Sequence, residues 1–138
     1  MYGYRSEEAR QNAQFNANGQ AVYPTAALGV VFDYMNMTQA YFGGGKAGKA
    51  VRKQVDTSTK GHSDDVTALA MSFDRTLVAS GQNGQQPLIC IWSAIDCSMQ
   101  GVKRLPKGSR LVTAISISPS KKYVCASDAA EKIAAYVF

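Results

Sequence analysis

The sequence predicts an all-β fold built from blades of four antiparallel strands, and three observations lead to it. Short segments in which β-branched and aromatic residues alternate with small or polar ones follow one another along the chain, without an amphipathic helical pattern. Turn signals such as Asn18-Gly19 separate these segments. The pattern also repeats with a period in the mid-forties, which is typical of a β-propeller.

The repeat is clearest between the stretches "VTALAMSFDRTLVASGQ" and "VTAISISPSKKYVCASD". Their alignment places Val66 opposite Val112 and Ser80 opposite Ser127, at offsets of 46 and 47 positions. Because each repeated unit leaves a hydrophobic face exposed, such units are stable when they stack on their neighbours.

The first unit contains four predicted strands, at about 11–16, 20–26, 28–35 and 38–42. The second unit begins at Gly61-His62 and reads as "DVTALAMS", "TLVASGQ", "LICIWSA" and a weaker "MQGVKRL". The third reads as "LVTAISIS", "YVCASDA" and "KIAAYVF". About three blades are therefore predicted, and since a closed propeller usually has at least four, we expect them to form part of a larger propeller.

These units divide the chain into four parts within one partial propeller, 1–138. The predicted parts are a first blade over 1–42, a basic inserted loop over 43–60, a second blade over 61–105 and a third, incomplete blade over 106–138.

Composition describes a folded protein with an acidic partner. Of 138 residues, 46% are hydrophobic and 18% are charged, and no apolar run has the length of a membrane helix or of a signal peptide core. We therefore expect a cytosolic protein without membrane contact. The net charge of +5 suggests an acidic partner, either nucleic acid, an anionic membrane surface or an acidic protein.

The cysteines and the single histidine predict no disulfide framework, metal site or cofactor. Cys90, Cys97 and Cys125 form no C-x-x-C pair, and their odd number favours free, largely buried thiols. His62 has no cysteine cluster with which to bind zinc.

The stretch "AYFGGGKAGKAVRKQ" contains the spacing of a phosphate-binding loop. Gly43, Gly48 and Lys49 match G-x-x-x-x-G-K, but Ala50 stands where a Ser or Thr would ligate magnesium. The preceding "MTQAYF" alternates polar and apolar residues, whereas a buried apolar strand is expected before such a loop. Nucleotide binding through Gly43–Lys49 is therefore the weakest of the alternatives.

The second unit resembles a WD repeat. Gly61-His62, Ser80 and Trp92 stand where that family has its Gly-His, strand serine and Trp-Asp. The resemblance implies that His62, Ser80 and Trp92 belong to a buried hydrogen-bond network that joins the strands of the blade. The family's turn aspartate has no match, since the turn "GQNGQQP" offers only Asn83.

The third unit departs further from the WD pattern and implies a looser core. The third unit has Tyr136 opposite the tryptophan of the second unit, and it lacks the Gly-His pair. The second unit also departs once more from the pattern, because Ser93 replaces the usual Asp.

The opening of the chain is more specific and resembles the echinoderm microtubule-associated protein-like family. Its hydrophobic motif, known as HELP, is matched in order by Tyr2, Gly3, Tyr4 and Arg5, followed by "ARQN". The resemblance runs through nearly the whole chain, and it implies a structural role for this motif at the propeller seam. The large departure is the insertion "GGGKAGKAVRKQVDTSTK" between Phe42 and Gly61.

The resemblance implies a non-enzymatic structural protein that binds tubulin or the microtubule lattice, or another axonemal protein. It also implies a place on cytoplasmic microtubules or in the ciliary axoneme. Insertions of this kind map to loops, often on a binding face. We expect the tubulin or partner contact at the cations of the insertion: Lys46, Lys49, Arg52, Lys53 and Lys60.

Other classes of function remain open beside this one. A generic WD-repeat scaffold in a cytosolic complex would share the fold and not need tubulin. A hydrolytic group at His62 with Ser63, Asp64 and Asp65 is disfavoured, because neighbours along a strand point to opposite faces. Nucleic acid is not the expected partner, because the aromatic residues lie in strands and not among the basic residues of the loop.

Overall fold

The computed structural model describes residues 12–43 and 61–137. This part of the chain contains eleven strands and no helix. The strands are β1 (Gln14–Phe15), β2 (Ala21–Thr25), β3 (Leu28–Asp33), β4 (Thr38–Phe42), β5 (Val66–Met71), β6 (Leu77–Gln82), β7 (Leu88–Ser93), β8 (Met99–Arg104), β9 (Val112–Ile117), β10 (Tyr123–Asp128) and β11 (Ile133–Val137). Each predicted strand has a counterpart, although β1 is much shorter than the predicted 11–16.

The strands form three antiparallel sheets in which sequence neighbours pair. Their orders are β1-β2-β3-β4, β5-β6-β7-β8 and β11-β10-β9, so the described part of the third sheet has three strands. We call these sheets the first, second and third blade. The all-β prediction of antiparallel blades from a partial propeller is confirmed, while the residue boundaries of the four parts stay a prediction.

The strand pairing corrects one position of the internal alignment. Leu69 pairs with Ser80 in the second blade, and the residues 46 positions later, Ile115 and Ala126, pair in the third. The structural counterpart of Ser80 is therefore Ala126, and the expected match with Ser127 is wrong. Matching one serine to another shifted the alignment by one residue, which in a strand moves a side chain to the opposite face.

Ser127 lies at the position that Gly81 occupies in the second blade. Gly81 pairs with Ala68, and Ser127 pairs with Ala114. The Ser127 hydroxyl lies 3.0 Å from the Thr113 hydroxyl, and their contact is exposed. It therefore has no place in a buried network.

Two hydrophobic clusters join the blades. One lies between the first and second blades and the other between the second and third. The first consists of Val22, Val31, Phe42, Leu69, Val78, Leu88, Cys90, Trp92 and Ala94. The second consists of Ala68, Ala79, Ile89, Ile91, Leu105, Val112, Val124 and Ala126. Each cluster contains residues from two blades, so burial of the core depends on stacking.

Glycines allow the close approach between blades. A Cβ atom at Gly29 would lie 2.5 Å from the Trp92 ring, and one at Gly81 would lie 2.5 Å from Val112 Cγ1. A direct hydrogen bond of 2.7 Å from the Thr67 hydroxyl to the Val112 carbonyl also joins the second and third blades.

We expect Gly81→Ala to lower the free energy of unfolding by about 1–3 kcal/mol, because the new methyl overlaps a buried side chain. Val112 is fully buried. The matched test is a double-mutant cycle with Val112→Gly, which removes all three atoms that clash, Cβ, Cγ1 and Cγ2. Urea denaturation of the four proteins should give a double variant that loses less than the sum of the single losses. Strict additivity would contradict this packing.

The connections between strands alternate between two ends of the blades. At one end, the Ala17 N–H donates to the Arg75 carbonyl at 3.0 Å, and Lys121 forms an ion pair with Asp74. We call this end the turn face, and it comprises 16–20, 34–37, 72–76, 94–98 and 118–122. We call the opposite end the loop face, and it comprises 26–27, 43, 61–65, 83–87, 105–111 and 129–132.

Within 12–43 and 61–137, no helix is long and apolar enough to cross a membrane. The same residues contain no group of His, Cys, Asp and Glu that could hold a metal ion.

Candidate functional site

The structure brings His62, Ser80 and Trp92 together inside the second blade. His62 precedes β5, Ser80 lies in β6 and Trp92 lies in β7. The Trp92 indole N–H donates to Ser80 Oγ at 3.0 Å, and Ser80 Oγ lies 2.6 Å from His62 Nε2. These residues join the loop before β5 to two neighbouring strands.

Gln82 completes this network, in place of the turn aspartate of a WD repeat. His62 Nδ1 lies 3.0 Å from Gln82 Oε1, and Gln82 Nε2 donates to the Ser63 hydroxyl at 3.0 Å. Asn83 does not take part, since its Oδ1 accepts from the Gly84 N–H. Sequence reasoning missed Gln82 because it looked for an acid or Asn in the turn, whereas the partner lies at the end of β6.

The chemistry of these groups fixes the direction of the hydrogen bonds. An amide oxygen only accepts, so His62 Nδ1 carries the proton and donates to Gln82 Oε1. His62 Nε2 is then an acceptor for the Ser80 hydroxyl, whose oxygen accepts from Trp92. With a neutral imidazole, both ring nitrogens of His62, the Ser80 hydroxyl and the Trp92 N–H all have hydrogen-bond partners within this network.

Burial supports the neutral form of His62. The ring is buried, and burial lowers its pKa from 6.5 to about 4, against the opposing effect of the Gln82 hydrogen bond. The imidazole is therefore uncharged at neutral pH and acts as a fixed donor and acceptor.

Phe42 of the first blade covers the network. Its ring stacks on the Trp92 ring with centroids 4.8 Å apart and 2° between the planes. It also meets the His62 ring edge-on at 6.3 Å. Because Phe42 is the last residue of β4, the network of the second blade depends on the first blade, and no repeat pattern within one unit contains this contact.

The third blade has no such network. Tyr136 occupies the Trp92 position, as expected, since Val124 pairs with Tyr136 as Val78 does with Trp92. Its hydroxyl donates instead to the Arg104 carbonyl at 3.0 Å. Ala126 at the serine position has no hydroxyl, so the described part of the third blade lacks the buried link, and its Thr113–Ser127 hydroxyl contact is exposed.

The geometry gives the His62–Ser80 pair no catalytic surroundings. Ser80 is 2% exposed and its oxygen already accepts from Trp92, so a substrate carbonyl has no approach to it. Asp64 and Asp65 do not orient the imidazole, because Gln82 occupies Nδ1. The arrangement serves packing, as the WD resemblance implies.

The described residues before and after the insertion, Gly43 and Gly61, lie next to each other. A Cβ atom at Gly61 would lie 2.5 Å from the Cα of Gly43, so these two glycines touch. The first and second blades therefore pack directly, with the Val66 N–H donating to the Ala26 carbonyl at 2.8 Å.

Several predicted site residues lie outside the described residues. These are the motif residues Tyr2, Gly3, Tyr4 and Arg5 and the cations Lys46, Lys49, Arg52, Lys53 and Lys60. The segment Gly43–Lys49, which carried the weak nucleotide-binding alternative, also lies outside the described residues apart from Gly43. Their roles stay predictions.

The cysteines differ from one another in exposure. Burial raises the pKa of Cys90 to about 12, and burial with the nearby charge of Asp96 raises the pKa of Cys97 to about 11. Cys125 is exposed on β10, so the expectation of largely buried thiols is wrong for this residue. All three are free thiols, as predicted.

Comparison with known proteins identifies two motifs in the chain. Residues 1–30 match the HELP motif, and residues 53–93 match the WD domain, G-beta repeat. The HELP match contains the Tyr-Gly-Tyr-Arg opening, and the WD match contains His62, Ser80 and Trp92.

Comparison of the chain with curated proteins finds several similar ones. The chain is 48% identical over 130 residues to the "Ciliary WD repeat-containing protein ctxp80" of Euplotoides octocarinatus, a match that covers 93% of this chain and 18% of that protein. It is 29% identical over 138 residues to the "Echinoderm microtubule-associated protein-like 1" of Homo sapiens, a match that covers 93% of this chain and 15% of that protein. It is 27% identical over 124 residues to the "77 kDa echinoderm microtubule-associated protein" of Strongylocentrotus purpuratus, a match that covers 86% of this chain and 16% of that protein.

The chain thus spans less than a fifth of the length of these curated relatives. The chain therefore carries a HELP motif and a WD repeat, and the resemblance to the echinoderm microtubule-associated protein-like family that its opening motif predicted is confirmed.

Proposed function

We propose that the protein is a non-enzymatic, microtubule-associated WD-repeat scaffold that binds tubulin or the microtubule lattice. The observation that carries this proposal is the ordered combination of a HELP motif and a WD repeat, together with the ciliary and microtubule-associated names of similar proteins. We further propose a place on cytoplasmic microtubules, including those of the ciliary axoneme.

The inner chemistry of the second blade supports a scaffold. Its one histidine is neutral and buried, and both ring nitrogens are used in the bonds to Ser80 and Gln82. A scaffold needs rigid blades that hold loops in place, and this network provides that rigidity.

The charge of the chain supports an acidic partner such as tubulin. The net charge is +5, and the insertion contributes five cations within fifteen positions, from Lys46 to Lys60, against the single carboxylate of Asp56. Such a segment would accelerate encounter with an acidic surface. Because Gly43 and Gly61 touch on the loop face, we propose this face as the one that meets the filament.

Co-sedimentation of the full-length protein with stabilised microtubules tests the proposal. We expect pelleting that weakens as salt rises, because the attraction between exposed charges is screened. The test variant changes Lys49, Arg52 and Lys53 to Glu and should pellet less than the wild type.

The matched control changes Arg75, Lys103 and Lys122 to Glu, which alters the net charge equally at exposed positions outside the insertion. Pelleting at the wild-type level is expected for this control. Equal losses in both variants would remove the insertion from the contact and leave only a net-charge effect. No pelleting of the wild type would overturn microtubule binding.

A generic protein-interaction scaffold is the second candidate, and the turn face favours it. Phe73 is 89% exposed at the tip of the β5–β6 turn, and Met35 is 78% exposed in the β3–β4 turn. Both residues lie on the turn face, and contiguous exposed apolar patches mark protein contacts. If the wild-type protein is folded and soluble but does not pellet with microtubules, the generic scaffold becomes the preferred function.

A further inference from the structure

Three exposed cations lie together on the loop face of the second and third blades. They are Lys107 and Arg110, between β8 and β9, and Lys132, between β10 and β11. The Lys132 ammonium donates to the Lys107 carbonyl at 3.0 Å, and the Ala129 N–H donates to the Arg110 carbonyl at 3.2 Å. We call Lys107, Arg110 and Lys132 the basic loop surface.

Two carboxylates, Asp128 and Glu131, lie in or next to these loops, and neither forms an ion pair with the three cations. Asp128 is 5% exposed, and its oxygens accept the backbone N–H groups of Arg110, Ala130 and Lys132. Glu131 is the other acid of these two loops, and it makes no ion pair with another described residue. Between 12 and 43 and between 61 and 137, the ion pair within 4 Å is Lys121–Asp74, on the turn face.

The turn face also carries exposed cations, Arg75, Lys121 and Lys122, and of these only Lys121 forms an ion pair with a described carboxylate. On the turn face, Lys121 is paired, and it lowers the pKa of Asp74 together with the hydroxyls of Ser72 and Thr76. On the basic loop surface, none of the three exposed cations forms an ion pair with another described residue.

The backbone beneath the basic loop surface is held in place before any partner binds. The Leu105 N–H donates to the Pro87 carbonyl at 3.0 Å, and the Gln86 N–H donates to the Ser109 carbonyl at 3.0 Å. Gly108 has φ of +88°, a conformation that favours glycine and turns the chain beneath Lys132. A fixed loop loses little entropy on binding, which favours affinity.

We propose that the basic loop surface binds an acidic peptide segment of a protein partner. Charge complementarity selects a carboxylate-rich ligand, and the three side chains can each meet a different carboxylate along an extended chain. This site goes beyond the proposed function, because it lies outside the insertion and requires neither tubulin nor a microtubule.

A peptide fits this surface better than nucleic acid does. Binding of single strands uses aromatic rings on which bases stack. The exposed aromatic side chains of the described residues lie elsewhere. Tyr34 and Phe73 lie on the turn face, Phe15 and Tyr123 lie at strand ends next to it, and Tyr41 lies in β4 of the first blade. The basic loop surface thus offers cations without a stacking platform.

The test is a fluorescence anisotropy titration of a labelled glutamate-rich peptide with the full-length protein. Binding should weaken as salt rises, and the same peptide with glutamine in place of glutamate should not bind. Lys107→Glu, Arg110→Glu and Lys132→Glu together should weaken binding by about tenfold or more, because three favourable charge contacts become repulsive.

The matched control is again the triple variant Arg75→Glu, Lys103→Glu and Lys122→Glu, with the same change of net charge. It should bind the peptide within about twofold of the wild type, since distant exposed charges are screened. Equal weakening in both triple variants would overturn the proposal and leave only net charge. The result is read without microtubules, so it is independent of co-sedimentation.

A single substitution keeps the proposal testable if the triple variant does not fold. Arg110→Glu removes a side chain whose residue is held through its main chain, by the bonds to Asp128 and Ala129. We expect it to weaken peptide binding by about threefold and to leave the unfolding midpoint unchanged. Unchanged affinity in a folded Arg110→Glu protein would overturn the proposal, as would tighter binding of a single-stranded oligonucleotide than of the peptide.

Discussion

Replacing Trp92 with Ala should lower the free energy of unfolding by about 3–5 kcal/mol, the range for truncating a large buried aromatic residue. Trp92 is fully buried, stacks on Phe42 and donates to Ser80. Its loss opens a cavity at the junction of two blades, and the close approach at Gly29 means that the lining comes from both of them. Urea denaturation followed by far-ultraviolet circular dichroism measures the change. Tryptophan fluorescence does not serve here, because Trp92 is the single tryptophan of the chain and the variant lacks it.

Tyr136→Ala is the matched control, because Tyr136 occupies the same position in the third blade. It is only half-buried and belongs to no side-chain network, so we expect roughly half the loss. Trp92→Phe should lie between the wild type and Trp92→Ala, because it keeps a ring against Phe42 and loses the N–H donor. Equal losses for Trp92→Ala and Tyr136→Ala would contradict the central place of the network.

Stability should fall as the pH falls from about 6.5 to about 4, and His62 should account for the fall. The pKa of His62 is lowered from 6.5 to about 4 by burial, so the unfolded chain binds a proton in this window that the folded chain does not. Stability from this residue is therefore fully present above about 6.5 and lost as the pH approaches 4. The total loss is on the order of 3 kcal/mol, because a tenfold change in a proton-binding constant corresponds to about 1.4 kcal/mol.

The measurement is the free energy of unfolding from pH 7.5 to pH 4, in wild type and in His62→Gln. His62 is the single histidine of the chain, so the substitution removes the titration and leaves an amide of similar reach. We expect a lower stability at pH 7.5 in the variant, and a shallower decline between pH 6.5 and pH 5. Lowered carboxyl pKa values, such as that of Asp96 at about 2, place their contributions at lower pH. Parallel curves for the two proteins would contradict the assignment to His62.

Strands and turns were predictable because they depend on neighbours in the sequence. Alternation of apolar and polar residues marks a strand that buries one face, and the turn at Asn18-Gly19 needs only local chemistry. The predicted order of eleven strands is the observed one, and β4 has its predicted bounds, Thr38–Phe42. The buried positions of Ser80 and Trp92 also followed from the resemblance of the second unit to a WD repeat.

Other features depend on contacts between distant segments, which no local pattern specifies. The equivalence of Ser80 with Ala126 was decided by strand register, and the roles of Gln82 and Phe42 by the packing of β6 and β4 around His62.

The same distinction applies to the surfaces. The sequence by itself determined an all-β chain of repeated blades, an excess of cations and the motifs that mark its resemblance to a family. Tertiary structure alone decided which cations lie together and which carboxylates are already used: Asp128 is turned inward by three backbone N–H groups, and Lys132 reaches over Lys107. Composition counts charges, whereas folding sets the distances between them, and the energy of two charges depends on that distance and on their exposure to water.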